Sequence, residues 1–292
     1  MITDIDLTST SSPIQFSRPG SRPIMGRSWG SEPDCKAVAL LVHGLGAHSG
    51  WFEAFGRQLQ ERDIFAVSYD HIGFGNRRDE HFSSYQDWLD DLILVFMHIA
   101  LHAKDKPLYL IGNSMGALLS MVCAQYVSPD GLVLLSPGFD GCGDTFTPWY
   151  RIKTVIKALL FPEMEVSLPY GIELCTRSST VATWINQDPE GRFMVPGKML
   201  FQLLQLSNAT KNKAMSVTMP VLMITAGLDK IVDNAVNKTL FEKLVAPTKA
   251  TAQFSESFHD LMFDCRVDEV ADQVMTWITQ NSVERLTTGT NL

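Results

Sequence analysis

Long apolar runs are missing from this 292-residue chain. Its most apolar stretch, residues 92–103, is broken by His98 and His102 and falls short of the roughly 20 residues needed to cross a bilayer. A positive balance is missing as well: 24 Lys and Arg face 32 Asp and Glu, for a net charge of −8. That sign argues against a nucleic-acid partner and against adhesion to an anionic membrane by charge alone. Cysteine is sparse. The five, at 35, 123, 142, 175 and 265, form an odd set without CxxC spacing. They suit a reducing compartment and speak against a disulfide framework or a structural zinc site. The opening residues, MITDIDLTSTSSP, offer neither a basic n-region nor an apolar h-region, so no signal peptide is read there and a cytoplasmic protein is expected.

What is present is a globular composition, 45% hydrophobic and 19% charged, in a length that suits one or two domains. Short aliphatic runs at 37–42, 64–69, 108–111, 132–135 and 221–225 have strand length and no polar alternation. Such runs mark strands buried on both faces, as in a parallel sheet. Helical stretches at 51–61, 85–102, 117–126, 235–244 and 267–280 lie between or after them. In the last, Val267, Val270, Val274 and Ile278 make an amphipathic stripe. The alternation predicts an α/β fold with helices on both faces of a mostly parallel sheet. It fails between about 138 and 217, where prolines at 148, 162, 169, 189 and 196 punctuate helical stretches at 150–161, 179–187 and 198–207. A segment that long is no ordinary connection and is read as an inserted helical cap over the ligand end of the sheet. The expected organisation is therefore an N-terminal segment at 1–29 with a disordered start, a core at 30–137 and 218–285, the cap at 138–217, and a flexible tail at 286–292.

Residues 108–119 read strand, then Gly112-Asn-Ser114-Met-Gly116, then helix. This is the setting a nucleophile elbow requires: small residues let the turn close, and the helix N-terminus supplies N–H groups for an oxyanion. After the first buried strand, His43-Gly44-Leu45-Gly46 makes a turn that can aim the Leu45 N–H at the oxyanion reached by the Met115 N–H. His43 itself is read as a brace for this loop, with a catalytic base as the alternative. The run at 221–226 ends in Gly227-Leu-Asp229, a carboxylate placed to orient a histidine. His259 follows a strand-like stretch at 250–254. Asp233 is read as the N-cap of the helix at 235–244, while Asp260 and Asp264 lie too near His259 in sequence to reach its far nitrogen readily. The order Ser114, Asp229, His259 is that of α/β-hydrolase triads, not of the chymotrypsin or subtilisin types.

From about residue 30 to 279 the chain resembles the α/β-hydrolase superfamily, and within it the monoacylglycerol lipase and lysophospholipase group. Residues 43–50, HGLGAHSG, are similar to that group's HGxGEHSG, and 70–75, DHIGFG, to its DHxGHG. Residues 112–117, GNSMGA, resemble GHSMGG; 227–233, GLDKIVD, resemble GxxDxxVD with the glycine one place nearer the aspartate; and 259–261, HDL, resemble HEL. The departures are Ala47 for glutamate, Phe74 for histidine, Asn113 for histidine and Ala117 for glycine, together with Asn-Arg-Arg-Asp after Gly75. A serine at 114 sets aside the epoxide hydrolases and dehalogenases, which need a carboxylate nucleophile.

The resemblance implies an α/β-hydrolase fold and a serine ester hydrolase cleaving a fatty-acyl or other apolar ester through an acyl-serine. Its site would be Ser114, Asp229 and His259, with Leu45 and Met115 as backbone oxyanion donors. A thioesterase, small-ester carboxylesterase or acyltransferase with the same triad is the alternative, and a ligand receptor on this fold is a further one. Ile156, Leu159, Leu160 and Leu203 are expected to line the substrate pocket. No metal and no cofactor are expected. The partner would be a small apolar ester or lipid, with at most peripheral membrane contact through the cap and no nucleic acid.

Overall fold

The computed structural model describes residues 5–288 other than 19, 104 and 214. The chain opens with β1 (Ser12–Phe16) and β2 (Ile24–Trp29). It then alternates β3 (Ala37–Val42), α1 (Glu53–Gln60), β4 (Ile64–Tyr69), α2 (Tyr85–Ala103), β5 (Leu108–Asn113), α3 (Met115–Cys123) and β6 (Gly131–Leu135). An insertion follows, holding α4 (Pro148–Leu160), β7 (Glu165–Ser167), α5 (Ser179–Asn186), β8 (Met194–Pro196) and α6 (Gly197–Lys213). The chain returns to the sheet with β9 (Val221–Ala226), α7 (Asn234–Lys243), β10 (Lys249–Phe254) and α8 (Val267–Thr288).

Eight strands form one sheet in the order β1-β2-β4-β3-β5-β6-β9-β10. From β4 to β10 neighbours run parallel, and β1 and β2 add an antiparallel edge. Every residue of β3, β5, β6 and β9 is buried, because helices cover both faces. Trp88 and Leu92 of α2, Leu118 of α3 and Phe241 of α7 fill one side. Phe55 and Leu59 of α1 and Val270, Val274 and Ile278 of α8 fill the other.

Three details depart from the sequence reading. The sheet begins before residue 30, in β1 and β2. β1 is exposed or half-exposed except at Phe16, and β2 carries Gly26, Arg27 and Ser28 in its middle, so neither shows a continuous apolar run. Buried Glu53 holds this entry, accepting from the Thr10 and Ser11 backbone N–H groups at 2.5 and 3.2 Å and from Trp29 Nε1 at 3.1 Å. The insertion contains a two-stranded ribbon, β7–β8, only three residues to a strand. At the other end α8 continues to Thr288, into the expected tail; residues 1–4 and 289–292 lie outside the described residues. Among the described residues no helix is long and apolar enough to cross a membrane.

Candidate active site

Ser114 stands between β5 and α3 at φ 53°, ψ −113°, a left-handed region that a non-glycine residue enters only under constraint. The surroundings supply that constraint. The Ser114 N–H donates to Leu135 O at 2.9 Å on the neighbouring strand, and its carbonyl accepts from Gly138 N at 3.2 Å. A methyl group at Gly116 would run into the Val42 carbonyl, and one at Gly112 into the backbone at Gly116. Both glycines are thus required by the close approach of strand and helix. Met115 opens α3, so its N–H is one of those a helix leaves without an intrahelical acceptor.

His259 is brought over from the loop after β10. Its Nδ1–H donates to Asp229 Oδ2 at 2.7 Å, which leaves Nε2 as the free ring nitrogen. The other Asp229 oxygen accepts from the backbone N–H groups of Ile231 and Val232 at 2.8 and 3.0 Å, so the carboxylate is fixed on both sides. Burial disfavours a charged ring at His259. The charge and hydrogen bond of Asp229, with Asp260 beyond, outweigh burial and raise it to about 9. Ser114 and His259 line one small cavity together with Leu45, Trp51, Cys175 and Asp260. Asp233 accepts from Ala235 and Val236 N–H and caps α7, away from this cluster.

The loop bearing Leu45 is braced from below. The His43 Nδ1–H donates to Gly44 O at 2.8 Å, and its Nε2 accepts from His71 N at 3.0 Å. With both nitrogens engaged by backbone and burial driving its pKa down to about 4, His43 is a neutral structural ring. Asp70 ties the same loop to the turn after β4, accepting from Ser49 N at 2.8 Å and Asn76 N at 3.0 Å. The cap clamps on from above. The Arg192 N–H donates to Gly46 O, and its guanidinium to Gly73 O at 2.7 Å. Asp188 accepts from His48 Nε2 at 2.6 Å and Trp51 Nε1 at 2.7 Å. Burial works against the Asp188 charge, but these bonds carry it down to about 2. His48, Asp188 and Glu190 lie close enough to share a metal ion, yet here they form this cap-to-core latch.

Ser114 also opens onto a larger cavity of about 340 Å³ between core and cap, walled by Phe139, Phe146, Tyr150, Val155 and Leu200 among others. Of the four expected substrate contacts, only Leu203 lines it. Ile156, Leu159 and Leu160 are 50%, 66% and 65% exposed and point away. The helix phase explains this: α4 turns Tyr150, Thr154 and Val155 inward, and its opposite face is apolar too, so the sequence stripe did not say which side was inside. The sequence reading also missed the pair between Asn113 Nδ2 and Asp260 Oδ1, at 2.6 Å and wholly buried. It links the residue before Ser114 to the residue after His259. Both lie inside the quoted motifs, and their places beside Ser114 and His259 were the available signal.

Residues 33–266 match the family model Hydrolase_4, described as serine aminopeptidase, S33. The chain belongs to this family of α/β hydrolases. Human monoglyceride lipase is 24% identical over 88% of this chain and 86% of its own length. The monoacylglycerol lipase of Mycolicibacterium smegmatis is 20% identical over 94% and 99%. A soluble variant of monoglyceride lipase from Saccharomyces cerevisiae, solved with a substrate analog, superposes with a TM-score of 0.83 at 16% identity, covering 94% of this chain and 97% of that one. Family and relatives together make this Hydrolase_4 member a hydrolase of the lipase and esterase type.

Proposed function

We propose that this hydrolase cleaves a fatty-acyl or similarly apolar carboxylic ester, of the monoacylglycerol or lysophospholipid kind, through an acyl-serine. The observation that carries the reading is Ser114: held at positive φ, it shares one cavity with His259, whose far nitrogen is bound to Asp229, and opens onto an apolar-walled chamber. The names of the relatives support the substrate class, and the five free thiols support a reducing, cytoplasmic setting.

In this mechanism the His259 Nε2 takes the proton from Ser114 Oγ as that oxygen attacks the ester carbonyl. The N–H groups of Leu45 and Met115 hold the oxyanion, and Asp229 keeps the ring in the required tautomer and balances its charge. Collapse breaks the bond to the alcohol, which leaves with the proton from His259. Water, deprotonated by the same ring, then frees the acid and restores Ser114. The outer face of α4, with Trp149, Ile152, Ile156, Leu159 and Leu160 exposed and Lys153 and Lys157 beside them, rests on the lipid surface from which substrate is drawn.

A fluorophosphonate probe tests the nucleophile. It is expected to label the wild type and not Ser114→Ala, which stays folded while kcat falls on the order of 10⁵–10⁶-fold. Labelling of the folded alanine variant refutes the assignment.

A further inference from the structure

The chamber that reaches Ser114 is not apolar throughout. α6 runs along it, placing Leu200, Leu203, Leu204, Ser207, Asn208 and Lys211 on its wall at three- and four-residue spacing. From Leu200 to Lys211 that face is about 16 Å long at about 1.5 Å per residue. Its first half is leucine and its second half polar. Ser207 is engaged, its hydroxyl donating to Phe139 O at 2.6 Å. Asn208 and half-buried Lys211 are not: among the described residues neither side chain has a hydrogen-bond or carboxylate partner. Arg151, the other cation on the wall, is matched by Asp140 at 2.9 Å and donates to the carbonyls of Phe146 and Gly141. The chamber therefore carries one unmatched positive charge, in a protein whose net charge is −8.

A few polar groups converging on an otherwise apolar cavity fix how a ligand lies in it, and an ammonium beside an amide suits a carboxylate or phosphate. We propose that Asn208 and Lys211 form an anion subsite, so that this chamber accepts an amphiphilic ester bearing one acidic group remote from the scissile carbonyl. The inference rests on the serine-esterase reading above and narrows its substrate class. The acidic group has two possible sources, a carboxylate ending the acyl chain or a phosphate on the alcohol.

Two substrate pairs separate them. One sets p-nitrophenyl octanoate against mono-p-nitrophenyl octanedioate; the other sets 1-oleoylglycerol against its 3-phosphate. With the full chain, Lys211→Gln is expected to lower the anionic-to-neutral ratio of kcat/KM about tenfold in at least one pair. The loss should fall on KM, and Lys211→Glu should lower the ratio further. For the wild type, 0.5 M NaCl should reduce the same ratio, since salt screens an incompletely buried charge. A change confined to the octanedioate places the anion on the acyl side, and one confined to the phosphate places it on the alcohol side; either supports the subsite. Ratios unchanged in both pairs, including a parallel loss on neutral and anionic esters, overturn it. A wild type that turns over none of the four esters overturns the esterase reading itself, and the subsite with it.

Discussion

At the scale of single residues the central quantity is the protonation of His259. In the proposed mechanism the ring acts as base only while Nε2 is bare, and the Asp229 carboxylate, prevailing over burial, holds the proton on up to about 9. Activity is therefore expected to rise with pH: kcat/KM on a neutral ester should climb through neutrality, reach half its plateau near pH 9 and level about one unit above. Asp229→Asn removes both the charge and the acceptor for Nδ1–H. With burial then unopposed by that charge, the limb should move to lower pH, while the plateau drops on the order of 10⁴-fold because the wrong tautomer is favoured. Asp233→Asn is the control, since asparagine caps a helix as well as aspartate and, among the described residues, this carboxylate accepts only from the α7 N–H groups of Ala235 and Val236. Steady-state profiles of the three proteins decide the matter; a larger loss at 233 than at 229 reverses the assignment of the acid. That Ser114, Asp229 and His259 come together was legible in the sequence because each follows a strand end in chain order, and for Ser114 because Gly112 and Gly116 let the turn close. For the pair of Asn113 and Asp260 the sequence offered only their places beside Ser114 and His259, since the contact spans 147 positions and depends on how the two segments meet.

Among the elements α4 is the one whose sequence conceals its role. An amphipathic helix in a soluble domain turns its apolar face inward, whereas α4 turns a mixed face, Tyr150, Arg151, Thr154 and Val155, toward the chamber and Trp149, Ile152, Ile156, Leu159 and Leu160 toward solvent. Such a face, flanked by Lys153 and Lys157, suits a lipid interface, where tryptophan and lysine are favoured. Vesicles containing phosphatidylglycerol are expected to retain the protein on flotation and to shift Trp149 fluorescence to the blue, with Trp149→Phe as the spectroscopic blank. Leu159→Glu should lower the ratio of activity on vesicle-borne ester to that on a soluble ester by about tenfold. An unchanged ratio would show that the face has no part in reaching substrate. The central strands were legible for the opposite reason to α4: covered on both sides, they favour apolar residues, and β3, β5, β6 and β9 show aliphatic runs interrupted by a polar side chain only at Asn113 and Thr225. β1 is a largely exposed edge strand, β2 has polar residues at Arg27 and Ser28, and β7 and β8 are too short to show any period.

For the whole molecule the cap matters because it is fastened. Arg192 bonds to Gly46 and Gly73, and Asp188 to His48 and Trp51, so the roof of the chamber is tied to the loops that surround Ser114. Beside Ser114, about 340 Å³ of largely apolar space is room for a chain rather than an acetyl group. Each methylene moved from water into that space is worth about 0.8 kcal/mol, nearly fourfold in affinity. Along a series of p-nitrophenyl esters, kcat/KM is thus expected to rise from acetate through at least octanoate and to flatten once the acyl chain outgrows the chamber. The slope should belong to the chamber and not to general greasiness: Val155→Asp, which places a charge on its wall, should flatten the rise while altering acetate much less. A profile that peaks at acetate and falls steadily with length would mean that the chamber does not hold the acyl chain. The small-ester reading would then replace the lipid one.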